Sequence, residues 1–198
     1  MNIFKKLFGQ KHSDSSPNEE KSKYLPEEQL PVDERFTHNF RKNGGKFLYC
    51  ENLDELNEAF DNILLENDWY EKEVYCINEQ LISKFGSYNL NFSENSRAVF
   101  LFSKCESLVA DGGAILISSN QIKQKKPHEL PDNFVIFATT SQLVNTIGEG
   151  LRKIKTQYQN HIPTNITAIN NFEIKKEDNF MTYGSSSKNL YLLLLEDL

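Results

Sequence analysis

The chain has 198 residues and a formal net charge of -6. That charge disfavours nonspecific attraction to the phosphates of nucleic acid or to anionic lipid, so we do not expect nucleic acid as a partner. Hydrophobic residues make up 38% of the chain, with 14 Phe and 8 Tyr, which excludes a disordered protein and suits one domain with its own hydrophobic core.

Residues 1–43 are predicted to form a polar, flexible N-terminal arm, and residues 44–198 the folded domain. Residues 10–34 are rich in Ser, Glu, Lys, Pro and Asn and carry almost no apolar periodicity. Ahead of them, apolar side chains share one helical face beside Lys5 and Lys6. Two helical turns are marginal alone, so three interpretations stay open: a frayed arm, a protein-docking helix or a membrane-surface contact.

The first half of the domain predicts alternating strands and helices. A Gly-Gly turn leads into the first short strand, and the following helix has apolar residues at spacings of three and four, which indicates one face on a core. The predicted elements are, in order, a strand over residues 46–50, a helix that Asn52 caps, a strand over 73–77 and a helix over 79–85.

The second half contains continuous apolar runs of strand length, as expected when both faces of a strand are covered. The stretch 104–110 between the first two runs is predicted to form about two helical turns. A long amphipathic helix is predicted from Thr140 to Tyr158. The strands are predicted over residues 98–103, 114–118, 133–138, 166–169 and 190–195. This alternation predicts a mostly parallel sheet with helices on both sides.

Small and polar residues at both ends of the 114–118 run are candidates for binding a small anionic ligand. The Asp-Gly-Gly segment before it allows positive φ and close approach of backbone amides to an anion, although a tight turn explains it equally well. The Ser-Ser-Asn segment after it lies at the edge where open α/β sheets bind ligands. The candidate residues are Asp111, Gly112, Gly113, Ser118, Ser119 and Asn120.

Two further candidates are weaker. Gly184, Ser185, Ser186 and Ser187 precede the last strand and either present hydroxyl and amide groups to a phosphate or carboxylate or form a solvated turn. Glu106 is a weak candidate for a catalytic carboxylate in the cleft. A charge on a helix surface is the alternative interpretation of Glu106.

Neither the cysteines nor the histidines predict a metal site or another cofactor. The cysteines are far apart, odd in number and without a C-x-x-C pair, and no histidine has the spacing of a metal ligand. Lys123, Lys125 and Lys126 form a basic loop that either meets an anion or is a solvated charge run. No segment approaches the roughly 20 apolar residues that cross a bilayer, so we expect a cytoplasmic protein without a transmembrane segment.

Residues 103–119 read SKCESLVADGGAILISS. This segment resembles the LUD (lactate utilisation) domain pattern in which a helix ends in A-[DE/R]-T-G-[ST] and runs into an apolar strand. Residues 130–138 are similar to the family's P-P-x-H-I-V-[IV] strand, with Asn133 in place of its His. The chain is therefore identified as a divergent member of the LUD domain family, similar to the lactate-utilisation protein C group.

The resemblance, which covers roughly residues 45–198 in element order, implies the fold of the NagB/RpiA/CoA-transferase-like group, a three-layer α/β/α sandwich. It also implies an accessory role in the oxidation of L-lactate to pyruvate, together with iron-sulfur partner proteins. Two family motifs are missing: the Gly, Pro, Ser, Arg and Asp expected within about residues 167–177, and the G-x-H-G-P loop at 183–187.

These departures leave two alternatives to the accessory role. One is a non-catalytic binding or regulatory relative that kept the sandwich and lost the family's ligand loops. The other is an enzyme of the CoA-transferase or sugar-phosphate-isomerase type in which Glu106 is the acid-base or nucleophilic carboxylate.

Overall fold

The structure is a computed structural model that describes residues 30–172 and 187–197. Short 3-10 turns occur at Gly86–Tyr88, Pro127–Glu129 and Thr140–Gln142. The remaining elements are, in chain order, α1 (Val32–Lys42), β1 (Lys46–Cys50), α2 (Leu53–Asn67), β2 (Glu73–Tyr75), α3 (Glu79–Phe85), β3 (Asn91–Ser93), β4 (Phe100–Lys104), β5 (Ser107–Val109), β6 (Ala114–Ile117), α4 (Ser119–Ile122), β7 (Asn133–Thr139), β8 (Leu143–Val144), α5 (Ile147–Gln157), β9 (Thr167–Ile169) and β10 (Asn189–Leu195).

A six-stranded parallel sheet forms the centre of the fold, in the order β1-β10-β7-β4-β2-β3. Its inner strands are apolar on both faces: every residue from Leu190 to Leu194 is buried. One face packs against α2 and α3, where Phe60 stacks on Phe102 with ring centroids 4.8 Å apart. Sequence pattern and structure therefore agree on a parallel sheet buried from both sides.

Helix α1 lies on the opposite face. Phe40 contacts Phe47 of β1, which pairs with Leu192 of β10. Successive residues of a strand point to opposite faces, so Phe47 lies on the other face from Leu48, which packs against the α2 core. Helices thus cover both faces of the parallel sheet, and the three-layer α/β/α class predicted from the sequence is confirmed.

Part of that third layer is a small second sheet, in the order β8-β5-β6-β9, that the sequence did not predict. The predicted strand 114–118 is present as β6, but it pairs antiparallel with β5 and β9 outside the central sheet. The predicted helical turns over 104–110 are wrong, because Ser107–Val109 is a strand that pairs with β6 and β8. A segment of three residues has no periodicity that separates helix from strand, so its conformation is set by the strands that pair with it.

The predicted long helix from Thr140 is also shorter than expected. Leu143 and Val144 form β8 beside β5, and the helix begins only at Ile147, where the Thr146 side chain accepts the Glu149 N–H. Two of its apolar residues, Ile147 and Leu151, are 47% and 42% exposed. The core contact of α5 is made instead by Ile154 and by Gly150, where an added Cβ would lie 2.5 Å from Leu116.

The end of the predicted N-terminal arm is part of the folded domain. Residues 32–42 form α1, and its Phe36 and Phe40 are fully buried. Only polar residues stand between the two aromatics, and one pair of apolar side chains four apart is too short a pattern to indicate an amphipathic helix, although such a pair shares a helical face. The amphipathic opening segment and residues up to 29 lie outside the described residues.

Candidate functional site

Glu106 lies immediately after β4, at the carboxyl edge of the central sheet, and is 7% exposed. Its N–H donates to Leu116 O at 2.8 Å, which closes the open end of the β5–β6 hairpin. Ser118 follows β6 and is the N-cap of α4. The hairpin therefore brings the candidate Ser118-Ser119-Asn120 segment to the candidate carboxylate.

Four side chains donate hydrogen bonds to the Glu106 carboxylate, and we call these five residues the Glu106 cluster. Oε1 accepts from Ser118 Oγ at 2.6 Å, from Asn120 Nδ2 at 3.1 Å and from Gln121 Nε2 at 3.0 Å. Among the described residues, Oε2 accepts only from the Tyr158 hydroxyl, at 3.2 Å. These donors satisfy acceptor positions of a nearly buried carboxylate, as buried polar groups require.

Gln121 and Tyr158 were not predicted as site residues. The Gln121 side chain accepts the Ser118 N–H at 2.7 Å while Ser118 Oγ accepts from Asn120 N, so the start of α4 is a capping box. The S-x-x-Q spacing of residues 118–121 carried that signal. Tyr158 comes from the end of α5 and had no local signal.

Tyr158 is a hydrogen-bond donor at neutral pH. Burial, and then the charge of Glu106 and the hydrogen bond to it, raise the pKa of the Tyr158 hydroxyl above its usual value. Its side chain is half-buried, and Asn120, which donates to Oε1, is exposed, so each carboxylate oxygen has one partner that is not fully buried. The second lone pair of Oε2 is suited to accept one hydrogen bond from a ligand hydroxyl or amide.

Ser119 points away from this cluster. Its backbone N–H donates to Thr164 O at 2.8 Å and its Oγ accepts the Thr164 N–H at 3.0 Å. This pair fixes the chain ahead of β9 against the start of α4. Of the three consecutive candidates, Ser118 and Asn120 therefore contact Glu106, whereas Ser119 contacts Thr164.

Asp111, Gly112 and Gly113 lie at the opposite end of the hairpin from Glu106, in the turn between β5 and β6. Helix α1 holds this turn: Asn39 Nδ2 donates to Ala110 O at 2.8 Å and Asn43 Nδ2 donates to Gly112 O at 2.8 Å. The carboxylate of Asp111 pairs with Arg35 at 3.2 Å.

Gly113 meets a backbone requirement in that turn. Its φ is +56°, and an added Cβ would lie 2.4 Å from the backbone of Asn39 and of Phe40. The space close to Gly113 is thus taken by helix α1, and the tight-turn interpretation accounts for this glycine.

Of the predicted segment before the last strand, Gly184, Ser185 and Ser186 lie outside the described residues, and Ser187 is half-buried. The next residue is an unpredicted buried cation. Lys188 is 1% exposed, and its ammonium donates to Leu130 O at 3.1 Å and Pro131 O at 3.0 Å. Burial lowers its pKa, which Asp132 partly opposes.

The cysteines are buried thiols without disulfide partners in the described part of the chain. Burial raises the pKa of Cys50 and of Cys76 to about 11, and raises that of Cys105 further. Thiolates are the metal-binding form, so burial makes these poor ligands. Over residues 30–172 and 187–197, no group of three or more His, Cys, Asp or Glu residues could hold a metal ion, and no helix is long and apolar enough to cross a membrane.

Comparison with known proteins agrees with this architecture. A solved DUF162 family protein from Deinococcus radiodurans is 14% identical in sequence, with a TM-score of 0.59, and the match covers 84% of this chain and 96% of that one. At that identity the likeness shows the fold. No curated protein matches the chain. Residues 34–195 match the LUD domain family, so the protein belongs to that family, which is associated with lactate utilisation.

Proposed function

We propose that the protein is an accessory component of L-lactate oxidation to pyruvate that acts with iron-sulfur partner proteins. The observation that carries the proposal is the family match over residues 34–195. The cysteines support the division of labour, because an iron-sulfur cluster needs thiolates and burial raises the pKa of Cys50, Cys76 and Cys105. On this proposal, the electron-transfer centres belong to the partners.

Deletion of the gene in the source organism tests this role. The deletion strain should grow poorly on L-lactate and normally on glucose, and the wild-type gene should restore growth on lactate. A tagged copy should co-purify with proteins that carry iron and acid-labile sulfide. Normal growth on L-lactate would rule out the proposed role.

A second candidate, a non-catalytic binding relative, is favoured by the contacts of Glu106. Three donors occupy Oε1 and Tyr158 occupies one position on Oε2, so most of the acceptor capacity of this carboxylate is used inside the protein. To act as a general base, the Glu106 carboxylate would have to break some of these hydrogen bonds in order to reach a substrate proton. The arrangement suits a rigid polar centre that supports a binding surface.

Glu106→Gln separates these candidates from an enzyme. If Glu106 is the acid-base group, the variant loses any turnover of lactate or acyl-CoA substrates found for the wild type. If the Glu106 cluster only supports a binding surface, Glu106→Gln restores growth of the deletion strain on L-lactate in proportion to the amount of folded variant protein. Glu58→Gln, at an exposed position of α2, is the matched control.

A further inference from the structure

Tyr75 ends β2 with a buried hydroxyl that has no hydrogen-bond partner among the described residues. The side chain is fully buried. Val74 belongs to the core under α2 and α3, so Tyr75 lies on the opposite face of the sheet. An unpaired buried hydroxyl destabilises a fold, and such groups in native proteins usually have a partner such as water, an ion or a ligand.

The connection from β3 to β4 passes over this tyrosine. The two strands lie on opposite sides of β2 and run parallel to it, so residues 94–99 must cross one face of β2. Lys125 shows which face: its ammonium lies 5.9 Å from the Tyr75 ring centroid and donates to Ser96 Oγ at 2.6 Å. Tyr75 is therefore enclosed by the crossover and by the loop after α4.

The Tyr75 hydroxyl and the Lys125 ammonium can each donate a further hydrogen bond. Within residues 30–172 and 187–197 the Tyr75 hydroxyl has no acceptor, and the Lys125 ammonium has three N–H donors, of which one is directed at Ser96. Burial, and then the charge of Glu94, raise the pKa of the phenol, so it keeps its proton at neutral pH. An acceptor is the missing partner.

The local charge favours a single negative charge on that acceptor. Lys123 pairs with Glu94, and the Lys126 N–H donates to the Glu129 carboxylate at 2.7 Å. With Lys125, Arg97 of the crossover and Glu73, which accepts from Asn95 Nδ2, four positive charges lie near three negative ones, which leaves one positive charge. A monocarboxylate balances that charge, whereas a doubly charged phosphate would leave a net negative charge.

We propose that Tyr75, Lys125 and Ser96 form a binding site for a small monocarboxylate at the carboxyl end of β2. The strands β2 and β4 are neighbours in the sheet, and the chain leaves them toward opposite faces. After β2 it continues into α3 on one face, and after β4 into the β5–β6 hairpin on the other. Open α/β sheets bind ligands at such points. Lys125 and Ser96 are only half-buried, so they form the side from which the anion enters. The proposal does not depend on the role in lactate oxidation.

Titration of the full chain with L-lactate, pyruvate or acetate at constant ionic strength tests the site. The readouts are the ring signals of ¹³C-labelled tyrosine and the melting temperature, with inorganic phosphate and chloride as separate arms. We expect saturable shifts of one tyrosine ring and a higher melting temperature with the carboxylates only. Tyr75→Phe should abolish the shifting signal and weaken binding, followed by melting temperature, at least about tenfold, as should Lys125→Gln.

Tyr70→Phe and Lys155→Gln, at an exposed position of α5, are the matched controls and should bind like the wild type. Ser96→Ala is a second test of the same site, with weaker binding expected, if Tyr75→Phe fails to fold. The proposal is overturned by equal carboxylate binding in the wild type, Tyr75→Phe and Lys125→Gln. It is also overturned by no binding of any carboxylate, which would leave a bound water as the partner of Tyr75, or by phosphate binding as tightly as the carboxylates.

Discussion

The hydroxyl of Tyr158 lies 3.2 Å from Oε2 of Glu106, although the two residues are 52 positions apart in the chain. The contact joins the end of α5 to the carboxyl edge of the central sheet. It is the only hydrogen bond that Oε2 receives in the described part of the protein, whereas Oε1 receives three. Tyr158 therefore fixes the orientation of the carboxylate from its Oε2 side.

Tyr158→Phe removes that bond and leaves the ring in place. Because the acceptor is a charged and nearly buried oxygen, we expect the free energy of unfolding to fall by about 1–2 kcal/mol. Urea unfolding followed by fluorescence measures the change. Tyr70→Phe is the control, since its hydroxyl bonds the exposed Asp61 at 2.6 Å, and it should cost less. An equal loss in both variants would contradict the orienting role.

Two adjacent glycines in the β5–β6 turn should respond very differently to a methyl group. Gly113→Ala places a Cβ 2.4 Å from the backbone of α1 at a φ of +56°, so we expect a loss of about 2 kcal/mol or more. Gly112→Ala meets nothing within 4 Å and should change stability by less than about 0.5 kcal/mol. Thermal and urea unfolding of the two variants provide the comparison, and similar stabilities would show that α1 does not hold this turn.

Local signals in the sequence account for the elements that were predicted correctly. Asn52 accepts the N–H groups of Asp54 and Glu55, as a cap must, and the β10 run is long and apolar enough to be a buried strand in any context. The strands β5 and β8 have three and two residues. Their conformation depends on pairing with each other and with β6, which no local pattern encodes.

The same distinction applies to the site. Ser118 and Glu106 were both candidates, yet one was considered a ligand group and the other a lone carboxylate, because their contact depends on the hairpin between them. Lys188 precedes an apolar strand and has no local signal of burial in the sequence. Its burial depends on the carbonyls of Leu130 and Pro131, which lie 58 and 57 residues earlier in the chain.

Lys188→Met should destabilise the protein by about 1–3 kcal/mol at neutral pH, because it leaves two buried carbonyl groups without their donor. Burial lowers the pKa of Lys188 from its usual 10.5, so the folded state binds this proton less tightly than the unfolded state. The stability advantage of wild type over Lys188→Met should therefore grow as pH rises through the folded pKa toward 10.5. Urea unfolding of both proteins across this range measures it, and a constant difference would contradict the lowered pKa.

Asp197 follows β10 and connects it to the turn after β7. Its carboxylate accepts from Thr140 Oγ1 at 2.9 Å, from Ser141 N at 2.8 Å and from Ser141 Oγ at 2.7 Å. Partial burial acts to raise the pKa of this carboxyl, but the hydrogen bonds outweigh it and lower the pKa from 3.8 to about 2. The folded state therefore favours the charged form.

Asp197→Asn should accordingly be less stable than the wild type above pH 3.8, and the difference should disappear as pH falls through the folded pKa of about 2. Carbon-detected NMR of the carboxyl group measures the titration directly. Ser141→Ala removes one donor and should move the Asp197 pKa up toward 3.8 without changing the charge. If Asp197 titrates near 3.8 in the wild type, these hydrogen bonds do not hold the carboxylate and the connection between β10 and the β7 turn is not electrostatic.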